Sequence, residues 1–151
     1  MTAPPSGAAP VVRVTRRVVF SAARRLTSAK LDDAADDRLF GADRRLHGRE
    51  FALFVTLRGP APPETGMVMD LKALSELLKA EIVRPLDRTV LNDAELLAGR
   101  PPTTENLAVA VWRRIETRLP KGLLAEVTLR EGEAKTVTYR GERRPDARPR
   151  R

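Results

Sequence analysis

The stretch Leu46-His47-Gly48-Arg49 leads directly into the segment at positions 51–57, which reads FALFVTL. Large apolar residues occupy every second position of this segment, from Phe51 to Leu57, with Ala52, Phe54 and Thr56 between them. This period of two predicts a strand with one face buried in a core. Gly59 and Pro60 follow and end the strand.

Further elements are predicted on both sides of this strand. One strand is expected at positions 11–21, and two more are expected at 123–130 and 135–140. Positions 22–46 form a long excursion with an acidic stretch, part of which is expected to be helical. Apolar residues at helical spacing predict two helices, one carrying Leu74, Leu77, Leu78 and Ile82, the other carrying Leu107, Val111, Ile115 and Leu119. This order predicts an α+β fold, in which two helices lie on one face of a four-stranded antiparallel sheet.

The 151 residues are consistent with one domain at positions 11–142, flanked by two short segments. Positions 1–10 form an Ala/Pro-rich arm and positions 143–151 a basic tail, and both are expected to be disordered. The tail holds five arginines and one aspartate, so half of the net charge of +8 lies there. It is interpreted as a solubilising end, with an RNA or membrane contact as the alternative. No motif indicates a specific nucleic-acid partner or a membrane partner, and cytoplasmic residence is the expectation.

An ordered set of motifs resembles the family of 6-pyruvoyltetrahydropterin and 6-carboxytetrahydropterin synthases. The motifs lie at 20–26 (FSAARRL), 46–49 (LHGR), 66–70 (GMVMD), 86–88 (LDR), 91–93 (LND), 102–107 (PTTENL), Glu131 and 139–142 (YRGE). The resemblance implies the tunnelling fold, or T-fold, in which the sheets of several subunits join into a barrel. It also implies a homo-oligomer, either a trimer or a hexamer, with small-molecule pockets between subunits.

The chain departs from this family at the positions of the catalytic metal. The family holds a zinc ion with histidines in patterns such as F-x-A-A-H-R-L and H-G-H, whereas Arg24 and Arg49 stand at ligand positions here and His47 remains. A guanidinium group stays protonated and offers no lone pair to a metal. The sequence therefore predicts no metal and no cofactor.

The catalytic set of the family is also changed. The chain has no cysteine, and Ala42 and Asp43 occupy the region where the family has its thiol. Arg88 follows Asp87 where the family has an Asp-His pair. Asp43, His47, Asp87 and Arg88 are nevertheless the predicted catalytic residues.

Other positions match the part of the family's site that grips the ligand. The resemblance implies that Glu131 anchors a pterin ring and that Thr103, Thr104 and Glu105 line the same pocket. Two alternatives stay open. Glu131 could simply end a strand in a solvated loop, and Thr103, Thr104 and Glu105 could simply form the start of a helix with Thr103 as its N-cap.

The arginines suggest a second contribution to ligand binding. Arg24 and Arg49, joined by Arg88, could form a cationic cluster that Asp43, Asp87 or an anionic substrate neutralises. The alternative is that these side chains turn outward to water.

These changes lead to a prediction of a divergent enzyme. We expect a metal-independent lyase, cyclase or isomerase recruited to a specialised biosynthetic pathway, which acts on a small molecule in the pocket between subunits. One alternative is a non-catalytic subunit that binds a pterin-like ligand or partners a true synthase. Another is an ordinary pterin synthase whose site is rebuilt from other residues.

Overall fold

Four antiparallel strands form one sheet in the computed structural model, which describes residue 7 and residues 9–142. The strands lie side by side in sequence order and are β1 (Val11–Arg24), β2 (His47–Pro60), β3 (Leu124–Glu131) and β4 (Lys135–Tyr139). The predicted arm lies mostly outside the described residues, and the predicted basic tail lies wholly outside them. Within the described part of the chain, no helix is long and apolar enough to cross a membrane.

The helices follow the two predicted apolar patterns, and the connection between β1 and β2 is partly helical, as expected. That connection holds α1 (Asp33–Phe40) and a 3-10 turn (Gly41–Arg44), whereas the connection between β2 and β3 holds α2 (Leu71–Leu78) and α4 (Thr104–Glu116). One π-helical turn (Lys79–Val83) joins α2 to the short α3 (Arg84–Leu86). The side chains of Asp70 and Thr103 cap α2 and α4 by accepting hydrogen bonds from backbone N–H groups.

The core lies between one face of the sheet and the helices. Phe51, Leu53, Val55 and Leu57 are fully buried, so the predicted alternation in β2 is confirmed. The helices contribute the facing layer with Leu74, Leu78, Ile82, Leu107, Val111 and Ile115. Burying each large side chain of this kind contributes about 1.5–3 kcal/mol. The predicted α+β arrangement is therefore confirmed.

β1 is longer than the sequence predicted, and this extension determines where the site lies. The predicted strand stopped at position 21, but the ladder with β2 continues until Arg24 pairs with His47. The two motifs at 20–26 and 46–49 therefore lie on adjacent strands at one end of the sheet. Arg24 is only 2% exposed at this end, so a charged side chain is buried next to the core.

Gly141 offers a test of the packing at the opposite end of the sheet. Its φ is +79°, and an added Cβ would come within 2.8 Å of the ring of Trp112, which packs edge-on against Tyr139. We expect Gly141→Ala to destabilise the fold by about 2–4 kcal/mol, because backbone strain and overpacking add. Urea unfolding followed by the fluorescence of Trp112, the one tryptophan of the chain, measures the loss.

Gly132→Ala is the matched control. Gly132 also has a positive φ, +58°, but no atom lies within 4 Å of the added Cβ, so only the backbone strain of about 1 kcal/mol is expected. Equal losses for the two variants would show that the contact with Trp112 adds nothing.

Candidate functional site

The register of the sheet brings several charged side chains onto one face. Ladder partners project to the same side of a sheet, and residues two apart along a strand share a face. Arg24 pairs with His47, Glu131 pairs with Phe51, and His47 and Arg49 precede Phe51 at intervals of two. All of these residues therefore lie on the helix-covered face, at the end of the sheet where β1 stops and β2 begins.

Glu131 is the centre of this group. Its Oε1 accepts hydrogen bonds from Arg24 Nη2 at 2.7 Å and Arg49 Nε at 3.0 Å, and its Oε2 accepts one from Thr104 Oγ1 at 2.6 Å. Lys135 Nζ lies 3.8 Å from Oε2. The Glu131 side chain is 10% exposed, so the predicted inward orientation is observed and the solvated alternative is not.

These contacts hold Glu131 in its ionised form. Burial by itself would raise the pKa of the carboxyl group, because a charge is poorly solvated there. The hydrogen bonds from Thr104 and Arg24 and the positive charges of Arg24 and Lys135 outweigh burial and lower the pKa of Glu131 to about 2. At neutral pH the site therefore contains a fixed negative charge.

Arg24 links three parts of the fold through this carboxylate. Its Nη1 donates to Thr104 Oγ1 at 3.2 Å and to the carbonyl of Pro102 at 3.3 Å, while its guanidinium lies 5.6 Å from the ring centre of Phe51. Since the Thr104 hydroxyl donates to Glu131, it is free to accept from Arg24. The end of β1, the end of β3 and the start of α4 are thus joined by charged and polar contacts.

The predicted cationic cluster forms only in part. Arg24 and Arg49 converge on the carboxylate of Glu131. The hypothesis had named Asp43, Asp87 or an anionic substrate as the neutralising group, and it did not include Glu131. Asp43 Oδ1 lies 4.0 Å from Arg49 Nη2, at the periphery.

Arg88 does not join this cluster. Its side chain is 90% exposed, and its backbone is held at a φ of +59° by a hydrogen bond from its N–H to the carbonyl of Ser21. The Arg88 side chain is therefore turned outward to water, which was the alternative to the cationic cluster.

Asp87 and His47, two further predicted catalytic residues, contact backbone groups. Asp87 Oδ1 accepts from the backbone N–H of Ser21 at 2.9 Å and so fastens the loop after α3 to β1. His47 Nδ1 lies 2.7 Å from the carbonyl of Arg45, and its buried Nε2 has no hydrogen-bond partner among the described residues. The structure does not bring Asp87, Asp43 and His47 into one set.

Only one of the three residues predicted at the start of α4 contacts Glu131. Thr104 is fully buried and contacts both Glu131 and Arg24. Thr103 accepts from the N–H of Asn106 as a helix cap, and Glu105 is exposed outside the group. The sequence reasoning missed Lys135, although its position four residues after Glu131 across a tight hairpin is a usable signal.

A pocket of about 500 Å³ lies beside this network. The apolar residues Ala22, Ala23 and Val90 line it together with two arginines, Arg49 and Arg88. Arg49 therefore contacts the buried carboxylate and lines the open pocket at the same time.

The residues present do not fit the zinc ion that the resemblance implies. The three positions hold one imidazole and two guanidinium groups, and the guanidiniums have no lone pair for a metal. Within the described residues, no group of three or more His, Cys, Asp or Glu side chains could hold a metal ion. Arg24 instead forms an ion pair with Glu131.

Comparisons with known proteins give consistent similarities over most of the chain. Residues 13–142 match the family model described as 6-pyruvoyl tetrahydropterin synthase. The 6-pyruvoyl tetrahydrobiopterin synthase of Drosophila melanogaster is 40% identical over 136 residues, which cover 87% of this chain and 81% of that protein. The human protein of the same name is 38% identical over 133 residues, which cover 86% of this chain and 92% of the human protein. The structure of Caenorhabditis elegans 6-pyruvoyl tetrahydropterin synthase superposes with a TM-score of 0.85 at 31% identity, covering 90% of this chain and 99% of that one.

These similarities correct the predicted function. The prediction of a divergent enzyme recruited to a specialised pathway is wrong, because relatives at 38–40% identity over most of the chain are named as synthases. The non-catalytic alternative is set aside for the same reason. The prediction gave too much weight to a few substituted site positions, whereas the similarity extends over most of the chain. The relatives are enzymes, which agrees with the preference for an enzyme.

Stability at different pH values tests the charge state of Glu131. We expect Glu131→Gln to cost about 3 kcal/mol at neutral pH, because the buried Arg24 loses its charged partner. Because the pKa of Glu131 is lower in the folded than in the unfolded protein, its ionised form stabilises the fold at pH values above the unfolded pKa of about 4.3. This contribution disappears as the pH falls toward the folded pKa of about 2. The difference in the free energy of unfolding between wild type and Glu131→Gln, measured by urea unfolding, should become smaller as the pH falls over that range.

Glu126→Gln provides the control on the same strand. The hydrogen bond from Arg140 lowers the pKa of Glu126, but Arg140 is 62% exposed, so a loss below about 1 kcal/mol is expected. A difference for Glu131→Gln that stays constant down to pH 2 would contradict an ionised Glu131.

Zinc affinity tests the chemistry of the three positions directly. Arg24→His combined with Arg49→His places three imidazoles on one face with His47, so the double variant should bind zinc at least about 100-fold more tightly than wild type. Competition with a zinc-binding dye gives both affinities, and Arg25→His, at an exposed neighbouring position, is the control. Equal zinc affinity in wild type and double variant would show that other residues supply the ligands.

Proposed function

Because this chain belongs to the 6-pyruvoyl tetrahydropterin synthase family, we propose that it is a synthase of the lyase class that acts on a reduced pterin and forms a 6-pyruvoyl tetrahydropterin. The names of its relatives support the product. The observation that carries the proposal is the ionised Glu131, fixed between Thr104, Arg24 and Arg49 at the place where the resemblance puts the pterin anchor.

Glu131 has the chemistry that a pterin ring requires. The aminopyrimidinone edge of a pterin carries N–H donors, and an ionised carboxylate offers about four acceptor positions. Arg24, Arg49 and Thr104 occupy part of this capacity. The donors also fix the carboxylate in place, so little freedom is lost when a ligand binds.

Arg49 and Arg88 suit an anionic portion of the substrate. Both line the pocket beside Glu131, and both are accessible, with side chains 40% and 90% exposed. Guanidinium groups bind oxyanions through paired N–H donors. A pterin ring held at Glu131 would place its side chain toward these two residues.

The predicted catalytic residues take different roles in this proposal. His47 accepts a proton, since its buried Nε2 is directed away from the Arg45 carbonyl that Nδ1 contacts. Asp87 positions the loop that carries Arg88, and Asp43 is an outer partner of Arg49. No step is assigned to a bound metal, because the donor set does not fit one.

A homo-oligomer forms part of the proposal. β1 and β4 are the two edges of the sheet, and β1 exposes Val11, Val12 and Val19. Long unpaired edges favour pairing with another strand, so edge-to-edge contacts between copies would cover them. A trimer or hexamer closed into a barrel fits this geometry.

Pterin binding by matched variants tests the proposal. Neopterin is fluorescent, and its quenching on binding gives an affinity for each protein. We expect Glu131→Gln to weaken binding by about tenfold or more, because one charged hydrogen-bond acceptor is lost. Conversion of a phosphate ester of 7,8-dihydroneopterin to 6-pyruvoyl tetrahydropterin, with release of the phosphate group, should fall at least as much when the product is measured by chromatography.

Glu126→Gln is again the control, since Glu126 pairs with Arg140 away from the pocket. It should leave affinity and turnover unchanged. Wild-type protein that neither binds a pterin nor forms the product would overturn the proposed function.

A further inference from the structure

Another pocket, of about 290 Å³, lies at the end of the sheet opposite the candidate site. Three arginines line it, one from β1, one from β2 and one that follows β4, and they are Arg13, Arg58 and Arg140. Trp112 of α4 also lines this pocket. None of these four residues lines the pocket beside Glu131, so the two pockets are separate.

Two of the arginines are held in a repulsive arrangement. Arg13 and Arg58 are opposed partners in the ladder between β1 and β2. Opposed side chains leave a sheet on the same face with Cβ atoms about 5 Å apart, and like charges placed in this way destabilise the pairing. In the part of the chain that the structure describes, neither Arg13 nor Arg58 forms an ion pair with a carboxylate.

The third arginine has a carboxylate partner. Arg140 Nε donates to Glu126 Oε2 at 2.8 Å. This hydrogen bond, together with the positive charges of Arg140 and Arg13, lowers the pKa of Glu126, so its carboxylate is ionised at neutral pH. Glu126 therefore neutralises Arg140 and leaves Arg13 and Arg58 as the charges available to a ligand. Glu116, which is exposed, also lines the pocket and opposes an anion there.

A β-bulge shapes this end of the sheet. Thr56 pairs with Glu126, but the next residue, Leu57, pairs with Leu124, so Ala125 is an extra residue in β3. Bulges bend a strand and change the direction of its side chains, and they are common next to functional sites. Ala125 lines the pocket, so the irregular part of β3 forms part of its wall.

We propose that this pocket binds the phosphate group of a small ligand, with the guanidinium groups of Arg13 and Arg58 as its partners and Trp112 beside it. Guanidinium groups bind oxyanions through paired N–H donors. A phosphate monoester carries close to two negative charges at neutral pH, which matches the two arginines without a carboxylate partner. A carboxylate ligand would supply only one charge. The proposal does not depend on the proposed function, because the pocket lies away from Glu131.

The fluorescence of Trp112 reports on this pocket, since Trp112 is the one tryptophan of the chain. Inorganic phosphate is titrated into the full-length protein at about pH 8, where it is mainly a dianion, and at constant ionic strength. We expect a saturable change with a Kd of about 1 mM, and ³¹P NMR should give the same affinity. Acetate, with one charge, should bind about tenfold more weakly. Phenyl phosphate binds more tightly than inorganic phosphate if the site takes a phosphate monoester, and equally if it takes free phosphate.

Matched variants separate the pocket from the general charge of the surface. Arg58→Gln and Arg13→Gln should each weaken phosphate binding by about tenfold, because one charged donor is lost. Glu116→Gln should strengthen it by about twofold, because a negative charge leaves the pocket lining. Arg16→Gln is the control, since it removes one positive charge at an exposed position of β1 whose side chain lies on the other face of the sheet. It should leave the affinity unchanged.

Three results would overturn the proposal. The first is a wild-type protein that shows no saturable response to phosphate by fluorescence or by NMR. The second is an equal loss of affinity in Arg58→Gln and Arg16→Gln, which would show an effect of net charge alone. The third is a response that Arg88→Gln abolishes and Arg58→Gln leaves intact, which would place the phosphate in the pocket beside Glu131.

Urea unfolding of Arg58→Gln gives an independent readout. Because the repulsion from Arg13 is relieved, the free energy of unfolding of this variant should be at least that of wild type. Weaker phosphate binding is then not a result of unfolding. Phosphate should raise the stability of wild type more than that of the variant, since a ligand stabilises the folded state that binds it. Equal stabilisation of the two proteins would contradict a phosphate site at Arg58.

Discussion

The buried pair of Arg24 and Glu131 is the interaction on which the rest of the site depends. Two charges taken out of water are stabilising only when their hydrogen bonds are nearly complete. Removing one partner leaves the other as an unpaired buried charge. Here Thr104, Pro102 and the ring of Phe51 complete most of the surroundings of Arg24. The pair therefore requires that β1, β3 and the start of α4 meet in one arrangement, and this requirement fixes the end of the sheet.

Much of the fold could be predicted from the sequence, because the relevant signals are local. The alternation from Phe51 to Leu57 and the spacing of Leu107, Val111 and Ile115 follow from the periods of a strand and a helix. The extension of β1 to Arg24 could not be predicted in this way. Its last residues are held by partners on β2, and local composition does not reveal such a pairing.

The candidate site was only partly predictable for a related reason. The inward direction of Glu131 follows from counting by twos along β3, and the structure agrees. The partners of Glu131 come from segments far apart in the chain, so the choice of Thr104 over Thr103 and Glu105 depends on the rotation of α4. Arg88 shows the opposite case, in which a sequence position typical of a catalytic set faces water.

Function was the weakest part of the sequence interpretation. The changes at Arg24, Arg49 and Arg88 favour a new pathway when they are considered alone, whereas the similarity to synthases extends over most of the chain. At two of these positions, Arg24 and Arg49, the chain has fixed charges that donate hydrogen bonds to Glu131. Such substitutions do not by themselves indicate which ligand the protein binds.

The unequal exposure of Arg24 and Arg49 has a consequence for the solution around the protein. Both guanidiniums contact Glu131 Oε1, but Arg24 is 2% exposed and Arg49 is 40% exposed. Dissolved ions screen accessible charges strongly and buried charges weakly. Added salt therefore loosens Arg49 from the carboxylate while Arg24 stays in place. The accessibility of the Glu131 carboxylate then varies with ionic strength, although the fold around it does not.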